Sequence, residues 1–147
     1  MMAERPGFSL PTMSIPSPDD SVSTAGYWRW LREHQLRIQR CTACGRTRNP
    51  AGEVCHACGS TLFEWIPVPA EGRVYSWTRV WHPVNETLEG HVPYLVAWIE
   101  VEHPDHPRFV GNIVGDPMQD VAIGDPVTGV FEDRSSGTIL NWRRDDA

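Results

Sequence analysis

The chain has no lysine. All 13 basic residues in its 147 are arginine, which excludes every mechanism needing a lysine from the same chain, such as a Schiff base or a P-loop phosphate anchor. Long hydrophobic runs are missing too. Nothing approaches eighteen consecutive apolar residues, so no membrane-spanning helix is expected. No basic stretch followed by an apolar one opens the chain, so no secretory leader is expected and a cytoplasmic setting is. The nucleophile-elbow, dinucleotide and P-loop glycine patterns do not occur. The histidines at 34, 82, 91, 103 and 106 are scattered, mostly in expected loops. No constellation supplies a nucleophile, a base and an oxyanion donor together. Taken alone, the chain is a poor enzyme candidate.

What is present is uneven. The length suits one domain, or one with a small appendage. The formal charge of −6 argues against wholesale nucleic-acid binding. That average hides a segregation: residues 29–48 hold six arginines against Glu33 alone, a local +5, and the rest of the chain carries −11.

Residues 1–22 are rich in proline and serine, without a hydrophobic period, and read as an extended or disordered arm. Either it is a solvated tail, or Phe8, Leu10, Met13 and Ile15 anchor it on a partner. Residues 23–35 space Tyr27, Trp28, Trp30, Leu31 and His34 for a short helix, with Ser23 or Thr24 as N-cap. Leu36-Arg37-Ile38-Gln39-Arg40 alternates with period two and predicts a strand opening a unit over residues 36–65. Over residues 66–142 five apolar runs, at 74–81, 94–101, 108–114, 127–131 and 138–142, are separated by Gly, Pro, Asn or Asp; residues 143–147 form a tail. The second run, nearly continuous in apolar residues, predicts a strand covered on both faces. Five strands with little helix predict a mainly β protein with a small closed barrel of the OB type, an open sandwich being the alternative. His103, Asp105 and His106 read as a solvated hairpin tip, and Glu100 and Glu102 as an exposed strand side.

All four cysteines fall in one pattern: Cys41-x-x-Cys44-Gly45, ten residues, then Cys55-x-x-Cys58-Gly59. Two residues between cysteines put both sulfurs on one side of a tight turn, and the glycine lets the backbone reverse beside a metal. The spacing predicts a tetrahedral four-thiolate site, with zinc favoured over iron. A short disulfide-bonded loop is the rival. Four protein sulfurs leave no open position for water or substrate, so the metal is expected to be structural. His56 is surplus to a filled site and is expected at the surface.

The residues also resemble a family. Tyr27-Trp28-x-x-Leu31 leads into Leu36-Arg37-Ile38-Gln39-Arg40-Cys41-x-x-Cys44-Gly45; the second knuckle follows, then Gly72-Arg73-Val74-Tyr75-Ser76-Trp77-Thr78 and Val92-Pro93-Tyr94-Leu95-Val96-Ala97. Arg108-Phe109-Val110-Gly111-Asn112-Ile113-Val114, Ile123-Gly124-Asp125-Pro126-Val127 and Val130-Phe131-Glu132 complete an ordered set that is similar to the domain-of-unknown-function 35 family. The resemblance implies a rubredoxin-like zinc ribbon with an OB-fold. It also implies an accessory subunit, not catalytic alone, of a thiolase-like acyltransferase or a lipid-transfer-protein-type aldolase. Such subunits support the catalytic partner and help form the path of a CoA thioester, including in steroid side-chain retro-aldol cleavage. Arg48-Asn49-Pro50-Ala51 and His56-Ala57 depart from the family's usual stretches, which leaves the metal unaffected.

A CoA tail carries phosphates that arginine forks bind and an adenine that stacks on tryptophan or guanidinium. Arg37, Arg40, Arg46 and Arg48 on the ribbon side, with Arg73, Trp77 and Arg79 on the first barrel strand, are the CoA candidates. Trp28, Trp30, Trp81 and Trp142 are the candidates for a buried interface with the partner. The alternative function is a nucleic-acid-binding module, because zinc ribbons and OB barrels both serve that purpose. A free-standing enzyme using His82 and His91 is a third reading.

Overall fold

The computed structural model describes residue 21 and residues 23–146. The arm expected over residues 1–22 therefore lies, apart from Ser21, outside the described residues. Helix α1 (Ala25–Arg32) has Thr24 at its N-cap position, without a side-chain capping bond. Leu31 is its fully buried residue, and α1 rests on the last barrel strand and the first ribbon strand. The helix ends in a double hydrogen-bonded turn. Gln35 N–H donates to Trp30 O and His34 N–H to Leu31 O, both at 2.9 Å, with His34 left-handed at φ 54°. Glycine usually takes this place. Here a histidine does, and its Nε2 lies 2.9 and 3.0 Å from the Asp133 carboxylate while its ring stacks on Phe131 at 5.2 Å. The side chain latches the helix end to the barrel, which offsets the strain of its backbone.

The ribbon is a three-stranded antiparallel sheet, β1 (Arg37–Cys41), β2 (Thr47–Arg48) and β3 (Phe63–Pro67), in the order β2-β1-β3. The period-two strand expected from Leu36 on is β1. Its middle residue, Gln39, is fully buried yet polar, so its amide needs partners. Its Oε1 accepts from Arg48 Nε and Gly52 N–H, and its Nε2 donates to Ser23 O. One amide thus ties the start of the helix to the loop between the knuckles.

The remaining strands, β4 (Glu71–Val80), β5 (Tyr94–Val101), β6 (Arg108–Ile113), β7 (Pro126–Arg134) and β8 (Gly137–Arg144), close into a barrel in the order β4-β5-β6-β8-β7. The five apolar runs are these five strands, and closure rules out the open sandwich. The core combines Val74, Leu95, Ile99, Ile113, Val127 and Trp142 with Leu31 and Ile38 from the N-terminal elements. Trp142 is fully buried. A Cβ on Gly111 would come within 2.9 Å of its ring, so the bare backbone of β6 makes room for it. This corrects its expected place at a partner interface.

One further expectation changes, and two features lie beyond the sequence reading. The alternation of β4 is interrupted by a bulge between Val74 and Ser76. One extra residue transfers the following side chains to the opposite face; Val74 is buried, Tyr75 and Ser76 are exposed, and Trp77 turns back to pack on the core. Strand β5 is not covered on both faces. Leu95, Ala97 and Ile99 point inward, but Trp98 is 49% exposed. Finally, the tip at residues 103–106 is exposed at Asp105 and His106, as expected, but is also tied to the ribbon. Thr47 Oγ1 donates to Asp105 at 2.6 Å, and Asn49 Nδ2 to Arg108 O at 2.6 Å, so the β5–β6 hairpin is clasped to the ribbon.

Candidate metal centre and the groove beside it

Each knuckle is the same small turn. Gly45 N–H donates to Cys41 O at 2.8 Å and Cys41 N–H to Arg46 O at 2.9 Å; in the second knuckle Gly59 N–H donates to Cys55 O at 2.9 Å and Cys55 N–H to Ser60 O at 2.8 Å. Gly45 and Gly59 hold φ values of 78° and 76°, a region where a side chain would be strained. The turns face one another. Cys41 Sγ is 3.6 Å from Cys58 Sγ, and Cys44 Sγ is 3.7 Å from Cys55 Sγ; all four sulfurs lie within 4.8 Å. A tetrahedron with Zn–S bonds of about 2.3 Å has sulfurs roughly 3.8 Å apart, whereas a disulfide needs about 2.05 Å. The cysteines are free, so the disulfide-loop rival fails and the cluster fits a structural zinc. Backbone donors prepare it chemically. The Cys44 N–H lowers the pKa of Cys41, and the N–H groups of Ala57 and then Cys58 pull Cys55 down to about 6. Both favour the thiolate that a metal takes. His56 is exposed, as expected.

The seven CoA candidates are not gathered in one place. Arg37 donates to Gln35 Oε1 and Trp65 O, and its guanidinium lies 3.7 Å from the centre of the Trp30 ring. Arg40 pairs with Glu64. Arg48 donates to Gln39 Oε1 and Gly52 O. Arg73 borders a hollow of about 670 Å³ that also holds Glu71, Glu100 and Glu102, which is unfavourable ground for phosphate. Arg79 holds the 115–122 loop by bonds to Pro117 O and Gln119 O, 5.4 Å from the Trp77 ring, which packs on the core. Arg46 stands beside His56 and Thr47 in a hollow of about 510 Å³ next to the metal centre. Of the six arginines in the +5 patch, Arg37, Arg40 and Arg48 are thus engaged within the chain. His82 and His91 are both exposed.

A further concavity among the described residues was not foreseen. A groove of about 1010 Å³ runs between ribbon, helix and barrel, walled by Tyr27, Trp28, Arg48, Trp98, Phe109 and Val110. Trp98 pairs across strands with Ser76 and Val110, and Val110 is 59% exposed. Tyr75, outward beside the buried Val74, carries the Arg108 guanidinium 3.7 Å above its ring. Tyr27 stacks on Phe109 at 6.5 Å, and its burial pushes its hydroxyl up to about 12. The outward register of Trp98 follows from the inward set Leu95, Ala97 and Ile99, and that of Tyr75 from the inward Val74 before it; the inward turn of Trp77 needs the bulge.

Ribbon, helix and closed barrel make this a zinc-ribbon/OB-fold protein. Comparison with known proteins sharpens that class. The rubredoxin-like zinc ribbon domain of ChsH2 matches residues 28–64, and the C-terminal OB-fold domain of ChsH2 matches residues 65–132. The chain belongs to this family, also called DUF35. It is similar to one chain of the solved Ltp2-ChsH2(DUF35) aldolase, at 30% identity and TM-score 0.76, over 86% of this chain and 98% of that one. A DUF35-family protein of unknown function from Sulfolobus solfataricus, at 17% identity and TM-score 0.57 over 82% of this chain and 84% of that one, shares the fold. Among curated proteins, a probable enoyl-CoA hydratase alpha subunit of Thermomonospora curvata is 37% identical over 131 residues. The 3-oxo-4,17-pregnadiene-20-carboxyl-CoA hydratase alpha subunit of Mycobacterium tuberculosis is 30% identical over 129. These alignments take in 89% and 88% of this chain but only 36% and 40% of the relatives, so the chain spans well under half of their length. No helix among the described residues is long and apolar enough to cross a membrane.

Proposed function

We propose that the chain is the accessory, non-catalytic subunit of a thiolase-like acyl-CoA enzyme, a retro-aldolase acting on a steroid side chain. It supports the catalytic subunit and helps form the CoA-thioester path. The observation that carries this reading is its likeness to the solved aldolase chain over nearly all of that chain's length. The chemistry of the relatives is consistent with it. Hydrating an enoyl-CoA puts a hydroxyl β to the thioester carbonyl, and a β-hydroxyacyl thioester is what a retro-aldolase cleaves. The longer hydratase subunits and this chain would then serve consecutive steps.

In this role Cys41, Cys44, Cys55 and Cys58 hold a structural zinc, which stabilises the ribbon and touches no substrate. Of the CoA candidates, Arg46 is the best placed, at the hollow next to the metal centre. The nucleic-acid alternative loses support because Arg37, Arg40 and Arg48 are already engaged inside the chain.

Co-expression with a lipid-transfer-protein-type thiolase-fold subunit tests the proposal. A stable hetero-oligomer is expected, with acyl-CoA cleavage only when both chains are present. Reversing Arg46 to glutamate should raise the KM for the CoA thioester. A chain that stays monomeric beside such subunits, or turns over acyl-CoA unaided, would overturn it.

A further inference from the structure

Closure of the barrel leaves part of one strand without a neighbour. We propose that the free edge of β4, over residues 76–80, pairs with the same edge of a second copy of this chain, antiparallel about a two-fold axis at Thr78. This goes beyond the proposed function and does not depend on it.

Three observations carry it. The first is the hydrogen-bond pattern. Strand β4 pairs with β5 from Gly72 to Val80, but with β7 only from Glu71 to Arg73. Val74 then turns to the loop before β7, its N–H donating to Asp125 O and its O accepting from Gly124 N–H. Backbone groups alternate between the two sides of an antiparallel strand. Glu102 N–H donates to Glu71 O and Val101 N–H to Pro107 O, so the even-numbered residues of β5 face β4. Ser76, Thr78 and Val80 stand opposite Trp98, Val96 and Tyr94 and bond across to them. Trp77 and Arg79 therefore turn N–H and C=O away from β5, where neither has a backbone partner among the described residues.

The second is self-complementarity. With Thr78 opposite Thr78, Trp77 of one copy exchanges both bonds with Arg79 of the other, which closes as a two-fold pair. Donor meets acceptor at each contact, and no like charges meet. The exposed side chains are Ser76 and Thr78, and Arg79 is already held by Pro117 O and Gln119 O. Beyond the bulge, the edge lacks the proline, lysine or acid that blunts pairing in other edge strands. The third is apolar surface along the same edge. Ile123 precedes the glycine bound to Val74, Met118 lies between the two carbonyls bound to Arg79, and Trp81 follows the strand. These three are 73, 49 and 54% exposed, and clustered apolar exposure marks an interaction surface.

A charge swap at Thr78 decides the matter. The full chain should show a monomer–dimer equilibrium in sedimentation through the micromolar to millimolar range. The amides of Trp77 and Arg79 should gain protection from hydrogen exchange as the dimer fills. Thr78→Lys places two cations about 5 Å apart across the axis and should weaken the dimer about fivefold or more, as should Thr78→Glu. An equal mixture of the two variants should recover the dimer as a mixed pair. Thr78 is exposed, so both variants keep the monomer fold, which thermal melts check. A wild-type chain that stays monomeric, a dimer that Thr78→Lys leaves intact, or a mixture that fails to pair would overturn the proposal. Protection of Trp77 and Arg79 that appears only with a catalytic subunit present would give the edge to that subunit and overturn it too.

Discussion

The ribbon and the barrel solve the same problem of stability by opposite means. Around the four sulfurs the buried side chains are few: Ile38, Gln39 and the two inner cysteines. The rest of the knuckles, including Cys44 and Cys58, is exposed. The barrel needs no metal, because Val74, Leu95, Ile99, Phe109, Ile113, Val127 and Trp142 fill its interior. Too small to bury a core, the ribbon replaces hydrophobic area with coordinate bonds. Each half is accordingly vulnerable to a different insult.

Chelation should give the largest effect. Structural zinc contributes apparent free energies of about 10–16 kcal/mol in small ribbons and fingers. Removing it, or making Cys55→Ser, should abolish amide protection across β1, β2 and β3. The barrel should stay protected; hydrogen exchange with metal analysis reads both at once. If β4–β8 exchange in step with the ribbon, the halves are one cooperative unit. The reciprocal lesion is Trp142→Ala, expected to cost about 3–5 kcal/mol and to melt the barrel while the protein keeps its zinc. Gly111→Ala should act in the same direction by driving a methyl group into the Trp142 ring.

Smaller changes sharpen the contrast. Asp125 Oδ2 accepts from Ala122 N–H and from Arg144 Nε, both at 2.9 Å. Those bonds, the backbone one first, hold its carboxyl below the usual carboxylate value. The stability it adds is present above the unfolded carboxylate pKa, near 4, and fades as pH falls through the lower folded value. Asp125→Asn should cost about 1 kcal/mol at neutral pH and flatten the acid limb of the barrel's melting curve, leaving the ribbon's unchanged. Smallest of all, Arg40→Ala breaks an exposed pair with Glu64 and should shift stability by less than about 1 kcal/mol in a thermal melt.

Legibility in the sequence follows the range of the interactions. The metal ligands could be read directly because each knuckle is a local turn with fixed spacing. The barrel strands could be read because apolar runs and turn residues mark them, whereas their number left an open sandwich possible until the pairing of β6 with β8 was seen. Residues whose placement depends on distant neighbours could not. Trp142 and Trp81 look alike as sequence, yet one is wholly buried and the other 54% exposed, because Gly111 opens a slot for the first. The bulge beside Tyr75 leaves no compositional mark and moves every later side chain of β4 to the other face. The clasps from Thr47 to Asp105 and from Asn49 to Arg108 join residues 58 and 59 positions apart, so a tip that reads as solvated is docked. Half of the arginine cluster, conspicuous as charge, is tied up in bonds: Arg37, Arg40 and Arg48 reach Gln35, Glu64, Gln39 and carbonyl oxygens.

The position of β8 has a consequence for how the protein comes into being. This strand pairs with β7 along its length and meets β6 at Trp142, so it is the seam that closes the barrel. It is also the last of the five barrel strands in chain order. The ribbon, whose ligands span only residues 41–58, emerges early and can take up its metal while synthesis continues. The barrel must wait as an open four-stranded sheet, with two edges unpaired and the place of its central tryptophan empty. During that interval the nascent barrel is exposed to wrong strand pairing, with the ribbon beside it already able to fold.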